Sequence, residues 1–172
     1  LIAISFLFSL RPYPYADDWT YAASVNFVGV EFWRWVFSQH VDHFIPVQKI
    51  LQHYLTKMGS FDFRVLVLFN LVVAFFAVVA SINLAKTYRK QIDWGDLWMV
   101  FCILSPSAAY LLWGFQFQFL SSVAFFVISI LFFSFGFTSN KHVYFTLGLV
   151  FLILTALSGM NGVVLSAVSF ST

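Results

Sequence analysis

The stretch Val65-Leu-Val-Leu-Phe-Asn-Leu-Val-Val-Ala-Phe-Phe-Ala-Val-Val-Ala-Ser-Ile82 decides the fold class of this chain. It holds no charged residue and no histidine, and a helix of about 17–25 apolar residues is long enough to cross the hydrocarbon core of a bilayer. Further apolar runs follow it to the end of the chain. We therefore predict an all-α fold, a polytopic bundle of membrane-spanning helices. The predicted spans lie at about residues 65–85, 97–113, 119–137 and 143–158.

The composition supports lipid as the solvent of this chain. It is 61% hydrophobic, 22% aromatic and 9% charged, whereas soluble domains carry about 25% charged residues. A net charge of +2 gives no basic surface for nucleic acid, and we exclude that partner. Cys102 is the only cysteine, so no internal disulfide can form, and its apolar surroundings indicate a buried small hydrophobe.

Both ends of the chain lie in apolar sequence. Leu1–Leu10 is about half a span in length, and Val163–Thr172 has the character of the start of another span. We therefore interpret residues 1–172 as a single transmembrane domain fragment of a longer protein. It would comprise a partial span at 1–10, an outer loop at 11–64, the four spans above and the start of a further span at 163–172.

Basic residues predict the orientation of the chain in the membrane. The connection after the first complete span carries Lys86, Arg89 and Lys90, and a later one carries Lys141. By the positive-inside rule these connections are cytoplasmic. The loop at 11–64 and the turns around residues 114–118 and 158–162 then share the non-cytoplasmic face.

Two helices lying in the membrane interface are predicted within the outer loop. Between Phe44 and Met58 the apolar residues recur with helical period, and Glu31–His40 is rich in the Trp and Phe that favour the membrane–water boundary. Pro46 suits the first turn of the second helix, and Gly59 suits its end. The polar side of that helix carries Gln48, Lys49, Gln52, His53, Thr56 and Lys57. We expect His53 on that side to be solvated.

The acidic pair Asp17-Asp18 is the first candidate site. Adjacent carboxylates repel each other, and the low dielectric near a membrane strengthens that repulsion. One carboxylate could accept a proton from an attacking hydroxyl or orient it, while the other holds a second polar group or a metal. Alternatively, Asp18 caps a helix running through Tyr21, and the two roles are compatible.

A second set of candidate residues lies further along the outer segment. His40 and His43 would share one face of a helix, with Asp42 turned aside. Two histidines without a clear third ligand argue against zinc, so we predict no metal cofactor, although a divalent ion remains conceivable. Binding of a phosphate or a sugar hydroxyl is favoured over a metal, and a solvated helix end is the simplest alternative. Arg11 can bind phosphate or reach lipid headgroups, and Gln116 can bind a glycan or satisfy a helix end.

The layout resembles the GT-C superfamily of integral-membrane glycosyltransferases, which includes protein O-mannosyltransferases and aminoarabinose lipid A transferases. The matching features are an acidic pair in the first outer loop, two interfacial helices and a run of short-looped spans. A short residue pattern is also similar to that of poorly characterised bacterial members. It consists of Asp17-Asp18-Trp19, then Gln39-His40 with Asp42-His43, and then Pro46.

This resemblance implies a specific chemistry and location. The donor would be a sugar on a polyprenyl phosphate, transferred with inversion to an acceptor hydroxyl or lipid on the outer face of a bacterial inner membrane. Asp17 or Asp18 would act as the base, and His40, His43 and Arg11 would steady the departing phosphate. Membrane lipid is the other implied partner.

Two other functions remain open at this point. A transporter or flippase for a lipid-linked or hydrophobic solute would normally carry ionisable residues or broken helices near the membrane midplane. The predicted spans hold no charge, and only Pro106 interrupts one of them near its end. A noncatalytic membrane scaffold is the third possibility, for which the outer carboxylates would be replaceable.

Overall fold

The computed structural model describes residues 10–41, 43–96, 98 and 113–170, and every regular element in these ranges is helical. Some of the predictions concern residues that lie outside the described ones, namely residues 1–9, Asp42, Cys102 and nearly all of the predicted span at 97–113. The α-helices, in chain order, are α1 (Trp19–Ser24), α2 (Gly29–Val36), α3 (Pro46–Met58), α4 (Arg64–Arg89), α5 (Phe117–Ser139), α6 (His142–Ala156) and α7 (Met160–Phe170). Short 3-10 turns at Ala16–Asp18 and Gly114–Gln116 precede α1 and α5.

Two helical segments are long and apolar enough to cross a membrane. They are Arg64–Arg89 and Gly114–Ser139, each of 26 residues. The apolar helix α6 has 15 residues and is shorter than a full span. The all-α prediction therefore holds for the described residues, and two of its helices have the length and composition of membrane spans.

The outward faces of these helices are apolar, and their inward faces carry polar residues. Phe75 on α4 and Ile153 on α6 are more than half exposed. Asn70 on α4 and Ser129 on α5 are fully buried, and the Ser129 hydroxyl donates a 2.9 Å hydrogen bond to the Gly148 carbonyl. Exposed apolar surface of this kind often marks a contact with lipid, with another protein or with a ligand.

Glycines bring α5 and α6 close together. A Cβ at Gly148 would lie 2.7 Å from the Phe133 ring, and one at Gly136 would lie 2.9 Å from the Phe145 ring. Each aromatic ring thus fills the space left by the glycine opposite. Close approach of helices at small residues is typical of packing in an apolar solvent, where water provides no driving force between helices.

The helix α3 begins at Pro46 and ends at Met58 before Gly59, as the sequence indicates, but most of its polar side is buried, and the end of its apolar side is exposed. Gln52 and Thr56 on its polar side are at most 2% exposed, whereas Tyr54 and Met58 on its apolar side are 53% and 81% exposed. The expectation that His53 on that side is solvated was wrong, because His53 is 2% exposed. Gln48, Lys49 and Gln52 on that side donate hydrogen bonds to carbonyls of neighbouring segments, whereas the buried Thr56 hydroxyl has no partner.

The segment between α2 and α3 also differs from its prediction. The helix α2 ends at Val36, so His40 and His43 do not share a helical face. They lie in a tight reversal and exchange two backbone hydrogen bonds of 2.8 Å, with Val41 between them at φ 55°. A left-handed valine is strained, and local sequence preferences do not indicate it.

Candidate functional site

The candidate site lies at one end of the helices, where three segments meet. The N-terminal segment is held by a hydrogen bond from the Phe63 amide to the Pro12 carbonyl, 3.0 Å. The start of α3 contacts the turn after α6 through the Val47 amide and the Leu157 carbonyl, 3.5 Å apart. The 3-10 turn Gly114–Gln116 lies between them. Residues far apart in the sequence are thereby brought to one surface.

Amide side chains hold the backbone of residues 113–115 in place. Asn70 Nδ2 donates to the Trp113 carbonyl at 3.0 Å, Gln52 Nε2 donates to the Gly114 carbonyl, and Gln48 Nε2 donates to the Phe115 carbonyl at 2.9 Å. Gln48 Nε2 also donates to Gln52 Oε1 at 3.1 Å. We call these three side chains the amide clamp. Because the clamp satisfies three consecutive carbonyls in a buried place, it fixes the turn against α3 and α4.

Asp18 lies beneath this turn and is 4% exposed. Its Oδ2 accepts a 3.4 Å hydrogen bond from the Tyr15 amide, while its buried Oδ1 has no hydrogen-bond partner. Burial raises the pKa of Asp18 to about 7, the Tyr15 and Phe115 amides oppose that rise, and the Asp17 charge adds to it. Asp18 precedes α1 but makes no side-chain capping bond to that helix, so the alternative capping role is confined to the 3-10 turn.

The atoms around Asp18 form a small polar cluster with unused hydrogen-bonding capacity. The hydroxyl of Tyr21 and Oε1 of Gln48 are buried without a partner, as is Asp18 Oδ1. Burial raises the pKa of Tyr21 well above its usual value, the Asp18 and Asp17 charges add to this, and the Gln48 side chain opposes it. Buried polar groups are usually satisfied, so unsatisfied groups together mark a place for water or a ligand.

The Asp17 side chain is accessible to solvent, whereas that of Asp18 is not. Its side chain is 45% exposed, and its Oδ1 lies 3.9 Å from His40 Nε2. The His40 ring packs 5.1 Å from the Phe115 ring, which places it against the clamped turn. The adjacent carboxylates therefore occupy different environments. Such a difference allows two carboxylates to take different chemical roles.

The remaining predicted site residues are distributed around this centre. Arg11 is exposed, and its guanidinium carbon lies 4.9 Å from the centre of the Tyr15 ring. Gln116 is half-buried at the end of the clamped turn. His43 lines a separate small pocket with Gln118 and residues of the turn after α6. Asp42 lies outside the described residues.

The sequence reading missed two buried groups on α3. Lys49 is 1% exposed, and its Nζ donates to the Trp35 and Ser38 carbonyls at 2.8 and 2.7 Å, closing the end of α2. Burial lowers the pKa of Lys49 to about 8. His53 is 2% exposed and packs 4.6 Å from the Phe32 ring, and burial lowers its pKa. His53 is therefore a packed residue, contrary to the expectation that it is solvated.

An exposed carboxylate thus lies beside a histidine and next in sequence to a buried carboxyl group, and these are residue types that general acid–base catalysis uses. Among the described residues, no three His, Cys, Asp or Glu side chains come together as metal ligands. No family model matches this sequence, and no curated protein or solved structure is detectably similar to it.

The clamp predicts a specific loss of stability. Gln52→Leu leaves the Gly114 carbonyl buried without a donor, which costs about 1–3 kcal/mol. We expect thermal unfolding in detergent to show that loss, with little change for Lys57→Leu, a control at an exposed position of α3. Equal stability of Gln52→Leu and the parent protein would contradict the assigned role.

The burial of Asp18 predicts a pH-dependent stability. Between pH 3.8, which is the ordinary carboxyl pKa, and about pH 7, Asp18 keeps its proton in the native state but loses it in the unfolded state. Stability therefore falls as the pH rises through that window, by up to about 4 kcal/mol. Asp18→Asn should remove most of this dependence in unfolding measured from pH 4 to 8, and Glu31→Gln, at an exposed carboxylate, should preserve it. If the stability of Asp18→Asn still falls with pH as it does in the parent protein, other groups cause the pH dependence.

Proposed function

We propose that this chain is part of a multi-pass membrane glycosyltransferase similar to the GT-C superfamily. It would move a sugar from a polyprenyl-phosphate donor to the hydroxyl of an acceptor or lipid, on the outer face of a bacterial inner membrane. The observation that carries this proposal is the acidic pair at the helix ends, with Asp17 accessible and Asp18 buried beneath it.

The distribution of exposed residues supports the membrane location. Phe75, Phe76 and Leu68 on α4 expose 62%, 55% and 46% of their surface. Tyr54 and Met58 continue the apolar surface on α3 at the site end. A lipid surface satisfies all of these groups, and it also accounts for the inward polar side of α3. Lys86 and Arg89 lie at the opposite end of α4 from the site, which fits an outer-face site under the positive-inside rule.

The proposed reaction uses Asp17 as the base because a base must reach its substrate. As the acceptor oxygen bonds to the anomeric carbon, Asp17 takes the hydroxyl proton, and the bond from that carbon to the phosphate oxygen breaks. The electron pair leaves with the polyprenyl phosphate, whose negative charge grows. The Arg11 guanidinium and a protonated His40 are the groups proposed to stabilise that charge. A single displacement of this kind inverts the anomeric centre.

Asp18 is proposed as a positioning residue. Its side chain is buried at the start of α1, and its Oδ2 accepts a hydrogen bond from the Tyr15 amide, so it holds the backbone that presents Asp17. With a pKa of about 7 it exchanges its proton near neutral pH. A change in its charge would then alter the field at Asp17 and the pH dependence of transfer.

A transporter and a scaffold are weaker alternatives. Between Arg64 and Lys86 the helix α4 contains no ionisable residue, and α5 contains none over its described length. Coupling of ions at the membrane midplane would need such residues. A noncatalytic scaffold role does not explain why the buried carboxyl group of Asp18 has an oxygen without a hydrogen-bond partner.

The test compares aspartate variants of the full-length protein in liposomes that contain polyprenyl-phosphate-linked sugars. We expect Asp17→Asn to lower kcat by about 100-fold or more, since general bases contribute about 10²–10⁴. Asp18→Asn should lower kcat less and flatten its dependence on pH near 7. Asp93→Asn, an exposed carboxylate at the other end of α4, is the matched control.

Two results would contradict the proposal. The first is unchanged transfer in both Asp17→Asn and Asp18→Asn, with protein levels equal to the parent. The second is movement of the lipid-linked sugar across the vesicle with no new glycosidic bond, which would identify a transporter.

A further inference from the structure

A second small pocket is built by segments other than those that carry the acidic pair. It is lined by His43, Gln118, Phe119, Ser122, Ser158, Gly159, Met160 and Asn161. These residues come from the start of α5, the turn between α6 and α7, and the reversal before α3. The pocket is small and open on one side, so it can take one edge of a larger molecule.

Gln118 is the buried polar group of this pocket. Its side chain is 3% exposed, and its Nε2 has no hydrogen-bond partner. Gly159 lies in the adjoining turn with a φ of 140°, a conformation in which side chains are strained and glycine is favoured. A donor buried in this way requires an acceptor from a bound molecule or water.

The other polar groups of the pocket offer both donors and acceptors. The hydroxyls of Ser122 and Ser158 donate to the Gln118 and Leu154 carbonyls, at 2.6 and 2.7 Å. Their oxygens therefore remain as acceptors towards the pocket. Asn161 is exposed and carries one donor group and one acceptor. A sugar hydroxyl is likewise both donor and acceptor, whereas a phosphate offers only acceptors.

The pocket also lacks groups that would bind a charged sugar. Its described lining contains no Asp, Glu, Lys or Arg, and His43 is its only titratable side chain. Phe119 and Met160 add apolar surface, which suits the C–H faces of a sugar ring. An ammonium placed here would meet no carboxylate and a carboxylate no Lys or Arg, so either would lose its hydration without gaining a permanent opposite charge.

The backbone connects this pocket to the proposed base. His43 in the pocket wall is hydrogen-bonded through its backbone to His40, in both directions at 2.8 Å. His40 Nε2 in turn lies 3.9 Å from Asp17 Oδ1. A sugar held in the pocket would thus lie on the same surface as Asp17.

We propose that this pocket binds the hydroxyl-bearing edge of the transferred sugar, and that this sugar is uncharged. The inference rests on the proposed function and adds to it the class of donor. It assigns Gln118 as a residue that determines sugar specificity, with Asn161 supporting it at the open side.

The experiment uses the full-length protein with three undecaprenyl-phosphate donors, which carry glucose, 4-amino-4-deoxyarabinose or glucuronic acid. Binding of each donor and transfer from each are both measured. We expect the glucose donor to bind best and to be transferred best. Gln118→Glu should raise KM for the glucose donor by about tenfold, through loss of the buried donor group, with a smaller change in kcat. It should also improve relative binding of the aminosugar donor.

Two further variants make the result decisive. Asn161→Asp adds a carboxylate at an exposed position of the same pocket, so it tests the specificity shift if Gln118→Glu does not fold. Gln91→Glu makes the same chemical change at an exposed position far from the site and should alter nothing.

The outcomes separate the inference from the proposed function. Two outcomes would overturn the inference without affecting the proposed function. One is preferred binding of a charged donor by the parent protein, and the other is equal selectivity in Gln118→Glu, Asn161→Asp and Gln91→Glu. Absence of transfer from all three donors would contradict the proposed function, and relative donor binding would still decide the inference.

Discussion

The structure depends on the hydrogen bonds from Asn70, Gln52 and Gln48 to the carbonyls of residues 113–115. A turn at the start of an apolar helix cannot leave its buried carbonyls without donors unless water reaches them. The amide clamp supplies donors from two other helices, and it therefore sets where α3 lies and which side of it faces inward. A buried hydrogen bond contributes about 1 kcal/mol when formed, but its loss leaves an unsatisfied group that costs more.

The clamped turn also creates the chemical difference between the two aspartates. Gly114 approaches Asp18 so closely that a Cβ there would lie 3.1 Å from Asp18 Oδ1. The turn thereby removes Asp18 from solvent and raises its pKa, while Asp17 remains accessible beside His40. Repulsion between adjacent carboxylates is reduced when one of them retains its proton. The same turn leads into α5, which presents Gln118 to the second pocket.

The sequence predicts the helices better than it predicts their environment. Hydropathy located α4 and α5 to within a few residues, and the period of α3 identified its two faces. The period does not tell which face packs inward, because the answer depends on whether the surrounding solvent is water or lipid. The pairing of Gln48 and Gln52 with carbonyls about 60 residues away is likewise absent from local patterns. The acidic pair was identified, but the burial of Asp18 depends on the distant Gly114.

The inward polar side of α3 is the most direct point at which to test this account. Cys102 would be replaced by Ala, and single spin labels attached at Thr56→Cys and Met58→Cys in the full-length protein in liposomes. These positions are two residues apart and are 1% and 81% exposed. The account predicts an immobilised label at position 56, and a mobile label at 58 whose relaxation is enhanced by lipid-soluble oxygen. A mobile, water-accessible label at 56 with an immobilised one at 58 would contradict it.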